Sequence, residues 1–318
     1  MSNDVAVLAA DRKAISALDG SAAAYAAAEK SEGTRREYRA ALAKFVAWCE
    51  SVGAAPFPAT PATVAAHLAA LADRGLSVSS IEGRAAAIAY AHKLAREPNP
   101  LADERVRAVL RGIRRTVGKP ARGKAAATAK IMASFVKHSP DSVRGKRDKA
   151  LVLIGFAAAL RRSELVALEV SDLERSESGV IITIRRSKTD QEGSGHQVAV
   201  PYGKKLRVIE ALDDWLQASK VASGPLFRAV DKAGAVGAEP LNGRSVARIV
   251  KAFATASKLD AKAFSGHSLR SGFITSALEA GSDLLRVMDV SRHREVGSLK
   301  KYDRRANAFQ NAAGGKFL

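Results

Sequence analysis

The stretch His267-Ser268-Leu269-Arg270-Ser271-Gly272-Phe273, closed by Glu279-Ala280-Gly281, opens a helical pattern on a histidine and an arginine three residues apart. At that spacing two side chains share one helix face and can aim at a single anion. A core histidine beside a surface arginine is the ordinary alternative. Working outward, three further pieces stand in the same half of the chain. Ala159-Leu160-Arg161-Arg162-Ser163-Glu164-Leu165 ends an apolar run, where such a sequence usually marks a charged helix start. Arg186-Ser187-Lys188-Thr189-Asp190 lies between two extended segments, where a lone lysine is usually solvated. His293 precedes Tyr302, and an isolated tyrosine at a helix end is commonly a half-buried anchor. Each piece is bland alone, yet their order within one domain fits a site that holds a phosphodiester with side-chain cations.

Composition narrows the partner. The chain has 318 residues, 47% of them hydrophobic, with 51 Lys+Arg against 32 Asp+Glu and a net charge of +19. A chain this apolar can offset its ordering entropy by burial, which excludes general disorder. The single cysteine, Cys49, excludes a disulfide scaffold and a cysteine-based zinc site. The start lacks the basic lead and apolar run of a signal peptide, and the longest apolar run, 150–160, is far short of the ~20 residues a spanning helix needs. A soluble, cytoplasmic protein is therefore expected. The positive charge asks for a polyanion but does not itself separate nucleic acid from a membrane surface. No basic amphipathic helix stands out to favour the membrane. There is no phosphate-binding G-x-x-x-x-G-K-[ST] loop, dinucleotide fingerprint or H-E-x-x-H. Acidic pairs that could hold two magnesium ions are not evident, so chemistry on a phosphodiester would be metal-free.

The pattern divides the chain into a lead at 1–20, a helical unit at 21–118, a basic linker at 119–129 and a second domain at 130–318. In the helical unit, Thr34 and Glu37 read as a capping box. Tyr38, Leu42, Phe45 and Cys49 follow one helix face behind it. Thr60-Pro61 starts a second helix that Gly75 ends, Ser79 or Ser80 caps a third, and a fourth ends near Thr116. Arg111, Arg114, Arg115, Lys119, Arg122 and Lys124 then form a run without an acid. It reads either as a solvated linker or as a strap whose cations displace counterions from a nucleic-acid backbone. The second domain is mixed, with an apolar helix at 147–160, a long-tipped β-hairpin from 180–185 and 196–200, and helical patterns at 204–220, 243–257, 268–280, 283–290 and 297–305.

At these residues the second half resembles the catalytic domain of the tyrosine recombinases, the phage-integrase family. That family orders an arginine with a glutamate three residues on, a hairpin lysine, His-x-x-Arg, and a histidine or tryptophan nine residues before a nucleophilic tyrosine. Arg161, Glu164, Lys188, His267, Arg270, His293 and Tyr302 match it position by position, and the helical half with its basic strap is similar to the family's core-binding domain. Ala159, Ser271 and Val290-Ser291-Arg292 depart from the commoner pattern, the last replacing a Leu-Gly pair before His293. The resemblance implies a mostly α fold with a small β-sheet in the C-terminal domain, arranged as a two-domain DNA clamp.

It also implies roles. Arg161 and Arg270 would clamp the scissile phosphate, Tyr302 would attack to give a 3′-phosphotyrosine, and His267 would take the phenol proton. A free phenol has a pKa of ~10 and needs such an acceptor. Lys188 would protonate the leaving 5′-oxygen, His293 would donate to the phosphate, and Glu164 would orient its neighbours. No metal or other cofactor is implied. The partner would be double-stranded DNA carrying a recombination site, bound by a homotetramer on two sites and resolved through a Holliday junction, in a bacterial or phage-like nucleoid. The tail at 306–318 would either fray or dock on a neighbouring protomer. A type IB topoisomerase and a non-catalytic DNA-binding protein on the same fold are the alternatives.

Overall fold

The structure is a computed structural model that describes residues 29–118, 123–185, 195–299 and 302. The lead at 1–20, the hairpin tip with Lys188, the linker cations Lys119 and Arg122, and the tail at 306–318 lie outside the described residues. The chain divides into two compact units, Met1–Ala121 and Arg122–Leu318.

The first unit contains α1 (Glu32–Ser51), α2 (Pro61–Asp73), α3 (Val78–Leu94) and α4 (Glu104–Thr116). Short polar side chains set the helix starts by accepting from amides that have no helical partner. Thr60 accepts from Thr63 N at 3.1 Å, and Asp103 from Arg105 N at 2.8 Å. Two starts differ from expectation. Ser31, not Thr34, caps α1, and Ser77, not Ser79 or Ser80, caps α3. Both stretches offer several hydroxyls, and local chemistry alone does not choose among them. Phe45, Cys49, Leu68, Ile81, Ile88, Val106 and Ile113 build the unit's core.

A basic amphipathic helix is present after all. In α4, Val106 and Ile113 are buried, while Arg105, Arg107, Arg111, Arg114 and Arg115 are exposed. Its apolar side is engaged in the core, so only the cationic face is presented. Two histidines are buried nearby and differ in their partners. His92 Nε2 accepts from Ala59 N at 2.9 Å, which leaves the proton on Nδ1, 2.8 Å from Ile88 O. Neither ring nitrogen of His67 has a hydrogen-bond partner. Its ring lies 4.9 Å from that of Phe45 and 4.8 Å from that of Trp48. Burial, and then the charges of Arg84 and Arg74, push its pKa down to about 4.

The second unit runs through α5 (Ala129–Lys137), α6 (Val143–Ala157) and α7 (Arg162–Ala167) to an antiparallel sheet ordered β1 (Leu173–Ser176), β2 (Gly179–Ile184) and β3 (His196–Pro201). It continues through α8 (Val208–Ser219), a ribbon of β4 (Arg228–Val230) and β5 (Val236–Pro240), α9 (Gly243–Ala256), α10 (His267–Glu279) and α11 (Leu284–Ser291). The expected strand pair is β2–β3, with Val180 opposite Val200 and Ile182 opposite Val198. All four side chains enter the core. β1 lacks an alternating signal because its residues are mostly exposed, and its pairing with β2 holds it. Of the last helical pattern, a 3₁₀ turn at Val296–Ser298 and Tyr302 are described.

The core centres on α6, whose Leu151, Leu153 and Ile154 pack with Trp215, Phe227, Val250 and Leu269. Trp215 buries its ring with its Nε1 donating to Leu226 O at 2.9 Å, so no donor is stranded. One close approach positions α10. Ala127 N donates to Ser268 O at 2.9 Å and Ala125 N to Ala263 O at 2.8 Å. A Cβ on Gly272 would stand 1.9 Å from Ala127 O, so only glycine admits this segment against the helix.

Candidate active site

The chain leaves α6 through Ala158, and Ala159 takes a left-handed conformation, φ 47°, that turns it into Arg161 at the start of α7. Glu164, one turn into α7, reaches back to this start. It accepts from Arg161 N at 2.8 Å and Arg161 Nη1 at 2.7 Å. The helix start is not uniformly the surface-charged one such a sequence usually gives: Arg162 and Ser163 are exposed, but the Glu164 side chain is 1% exposed and that of Arg161 is 20% exposed.

Helix α10 brings in His267 at its first position and Arg270 one turn later, 1% exposed. Arg270 Nη1 donates to Ala159 O at 2.8 Å, and its Nη2 lies 3.5 Å from His293 Nδ1. The end of α11 supplies the remainder. Ser291 Oγ stands 2.6 Å from Val287 O and 2.8 Å from His293 Nδ1. Tyr302, 9% exposed, packs with Ile274, Leu278, Val287 and Leu299. That apolar seat leaves its hydroxyl 3.2 Å from His267 Nε2, a distance at which a proton can pass.

Six of the seven expected catalytic side chains therefore converge: Arg161, Glu164, His267, Arg270, His293 and Tyr302. Lys188 lies outside the described residues. Arg292 is a member that sequence reasoning missed. It donates to Glu164 Oε2 at 2.9 Å and to Ala159 O at 3.0 Å. The signal was visible in the departure at Val290-Ser291-Arg292, but an arginine beside His293 and Arg294 reads as one more solvated cation.

The charges oppose one another. Burial alone would raise the Glu164 carboxyl, but the Arg292 charge and the Arg161 hydrogen bonds outweigh it and hold the group below the usual carboxylate range. Burial, then repulsion from Arg161 and Arg292, pushes Arg270 down to about 9, which leaves it charged at neutral pH. Three guanidinium groups face one carboxylate, so a surplus of positive charge remains for an anion. Among the described residues, no three His, Cys, Asp or Glu side chains gather as metal ligands would. No helix among them is long and apolar enough to cross a membrane.

The basic run is not free of acids in space. Arg111, Arg114 and Arg115 belong to α4, where Arg111 pairs with Glu104 and Arg114 Nε with Glu82 at 2.7 Å. Lys124 Nζ donates to Lys262 O at 2.7 Å. Arg115 is exposed.

Residues 127–308 match the family model described as the phage integrase family. The integrase/recombinase XerD homolog of Selenomonas ruminantium is 35% identical over 292 residues, covering 89% of this chain and 85% of the relative. Recombinase Cre of Escherichia phage P1 is 27% identical over 298 residues, covering 86% and 84%. Two solved structures share the fold. XerH site-specific recombinase, in a post-cleavage complex with a palindromic difH substrate, matches with a TM-score of 0.65 at 17% identity, over 88% of this chain and 78% of that one. A lambda integrase dimer on a COC′ core site matches with a TM-score of 0.60 at 19% identity, over 90% and 93%. The chain belongs to the phage integrase family and is a tyrosine recombinase.

Proposed function

We propose that this recombinase exchanges strands of duplex DNA at a specific site, with Tyr302 as nucleophile and arginines neutralising the phosphate. A phosphodiester repels anionic nucleophiles, and the planar guanidinium of Arg161 and of Arg270 offers paired donors that stay charged at working pH. The Tyr302 oxygen forms a bond to phosphorus while its proton passes to His267. The bond to the 5′-oxygen breaks, and that oxygen takes a proton from Lys188. His293 donates to a non-bridging oxygen and Glu164 holds Arg161. The 3′-phosphotyrosine conserves the energy of the broken bond, so a 5′-hydroxyl from a second strand can attack it and release Tyr302 without a nucleotide cofactor. Four protomers on two DNA sites, a dimer on each, would pass through a Holliday junction. Residues 21–118 would bind DNA as the core-binding domain, joined through a basic linker at 119–129 to the catalytic domain.

The observation that carries this reading is the 3.2 Å contact of His267 Nε2 with the Tyr302 hydroxyl, one turn from Arg270. The test is a nicked duplex carrying the sequence that the wild-type protein selects from random DNA. Denaturing electrophoresis should show a covalent adduct with wild type and none with Tyr302→Phe. Duplex affinity should stay within about threefold, because the lost hydroxyl acts mainly in the transition state. Loss of binding and of adduct by one factor would make Tyr302 structural. On a two-site plasmid, supercoil relaxation without junctions or exchanged products would assign the chain to strand relaxation instead.

A further inference from the structure

Arg292 holds a backbone conformation that an arginine seldom adopts, φ 53°, directly after α11. Glycine is the usual residue at such a left-handed helix end, because a Cβ is strained there. The side chain is nevertheless buried, 5% exposed, and fully directed inward. Nη1 donates to Val290 O at 2.7 Å and to Ala158 O at 3.3 Å. Nη2 donates to Ala159 O at 3.0 Å and to Glu164 Oε2 at 2.9 Å.

Those partners are the anchors of the phosphate-facing groups. Glu164 offers its other oxygen, Oε1, to Arg161. Ala159 O also accepts from Arg270 Nη1 at 2.8 Å. His293 is the next residue along the chain. A single guanidinium therefore touches what fixes Arg161, touches what fixes Arg270, and precedes His293. Charge points the same way. Paired only with Arg161, a buried Glu164 would cancel the cation meant for the phosphate. Arg292 shares that carboxylate and so leaves Arg161 with charge to spare.

We propose that Arg292 is a positioning residue of the recombination reaction, bracing Glu164 and Ala159 so that Arg161 and Arg270 meet the scissile phosphate together. It does not itself reach the substrate, since Nη1 and Nη2 donate to protein carbonyls and Glu164, and Nε is buried away from solvent without a hydrogen-bond partner. The proposal rests on the recombinase reading above.

The experiment uses the full chain and the same selected, nicked duplex, with either a phosphodiester or an uncharged methylphosphonate at the cleavage position. Arg292→Gly relieves the backbone strain while removing the brace. It should slow single-turnover adduct formation on the phosphodiester about a hundredfold, the scale of a slight misplacement of reacting groups. Duplex affinity should stay within about threefold of wild type, because no DNA contact is removed. The deficit should shrink on the methylphosphonate, which has no charge for Arg161 and Arg270 to neutralise. Arg292→Lys should recover part of the rate, because an ammonium lacks the fork that spans both anchors. If Arg292→Gly unfolds, Arg292→Lys decides. A folded variant of either kind that cleaves at the wild-type rate would overturn the proposal. So would an equal deficit on both substrates, or binding and cleavage falling by one factor. Absence of an adduct with wild type would refute the recombinase reading, and this proposal with it.

Discussion

Histidine serves this protein in opposite ways, and the difference lies in what surrounds each ring. His267 sits beside a tyrosine hydroxyl at the mouth of a cationic cluster, whereas His67 lies between Phe45 and Trp48 with no hydrogen-bond partner. For His67 the pKa is depressed from 6.5 to about 4, so the fold prefers the neutral ring. The unfolded chain then binds the proton first, and stability is lost as pH falls from 6.5 towards 4. At about 1.4 kcal/mol for each tenfold rise in proton concentration below 6.5, the group should remove about 2 kcal/mol between pH 7 and pH 5. Urea denaturation of wild type and His67→Leu at both pH values checks this, and the variant should show a drop smaller by that amount. An equal drop in both proteins would mean that His67 is hydrated or paired in solution. Residue identity made Arg161, His267, Arg270 and Tyr302 legible, because their types and spacings are uncommon together. Arg292 was not legible, since the feature that marks it is a contact with Glu164 across 128 residues.

At the scale of elements, α10 does the most positioning work, and it depends on a residue without a side chain. Gly272 lets the extended segment before α5 lie against α10, where Ala127 N reaches Ser268 O. Gly272→Ala should force that segment and the helix apart and destabilise the second unit by about 1–3 kcal/mol, the usual range for an overpacked core site. Thermal and denaturant unfolding measure it. Adduct formation should fall as well, because Arg270 and His267 ride on the same helix. A variant with wild-type stability would show that the segment yields at little cost. The hairpin β2–β3 was legible from β-branched alternation ending at Pro201. β1 and the β4–β5 ribbon were not, because mostly exposed side chains carry no alternation and pairing with partner strands holds them. α5 was not legible either, although Met132 and Phe135 follow a helical period, because it is only nine residues long.

Across the whole molecule, the net charge of +19 is spread unevenly between paired and unpaired cations. In α4, Glu104 and Glu82 hold Arg111 and Arg114, while Arg115 is exposed with no ion-pair partner among the described residues. If this face meets DNA, Arg115→Ala should reduce the slope of log affinity against log salt by about one unit, as for one lost phosphate contact. Arg114→Ala should change it less, because Glu82 already takes part of that charge. Fluorescence anisotropy over a salt series reads both, and an unchanged slope for Arg115→Ala would remove this face from the interface. The sequence by itself determined a two-part, mostly helical molecule, its need for a polyanion, and the order of Arg161, Lys188, His-x-x-Arg and Tyr302, because composition, periodicity and spacing are local properties. Only the tertiary structure decided that Glu164 is buried, that Ala159 O is shared by Arg270 and Arg292, and that Arg292 also reaches Glu164. Those are contacts between distant segments, which burial and charge select only once the chain has closed on itself.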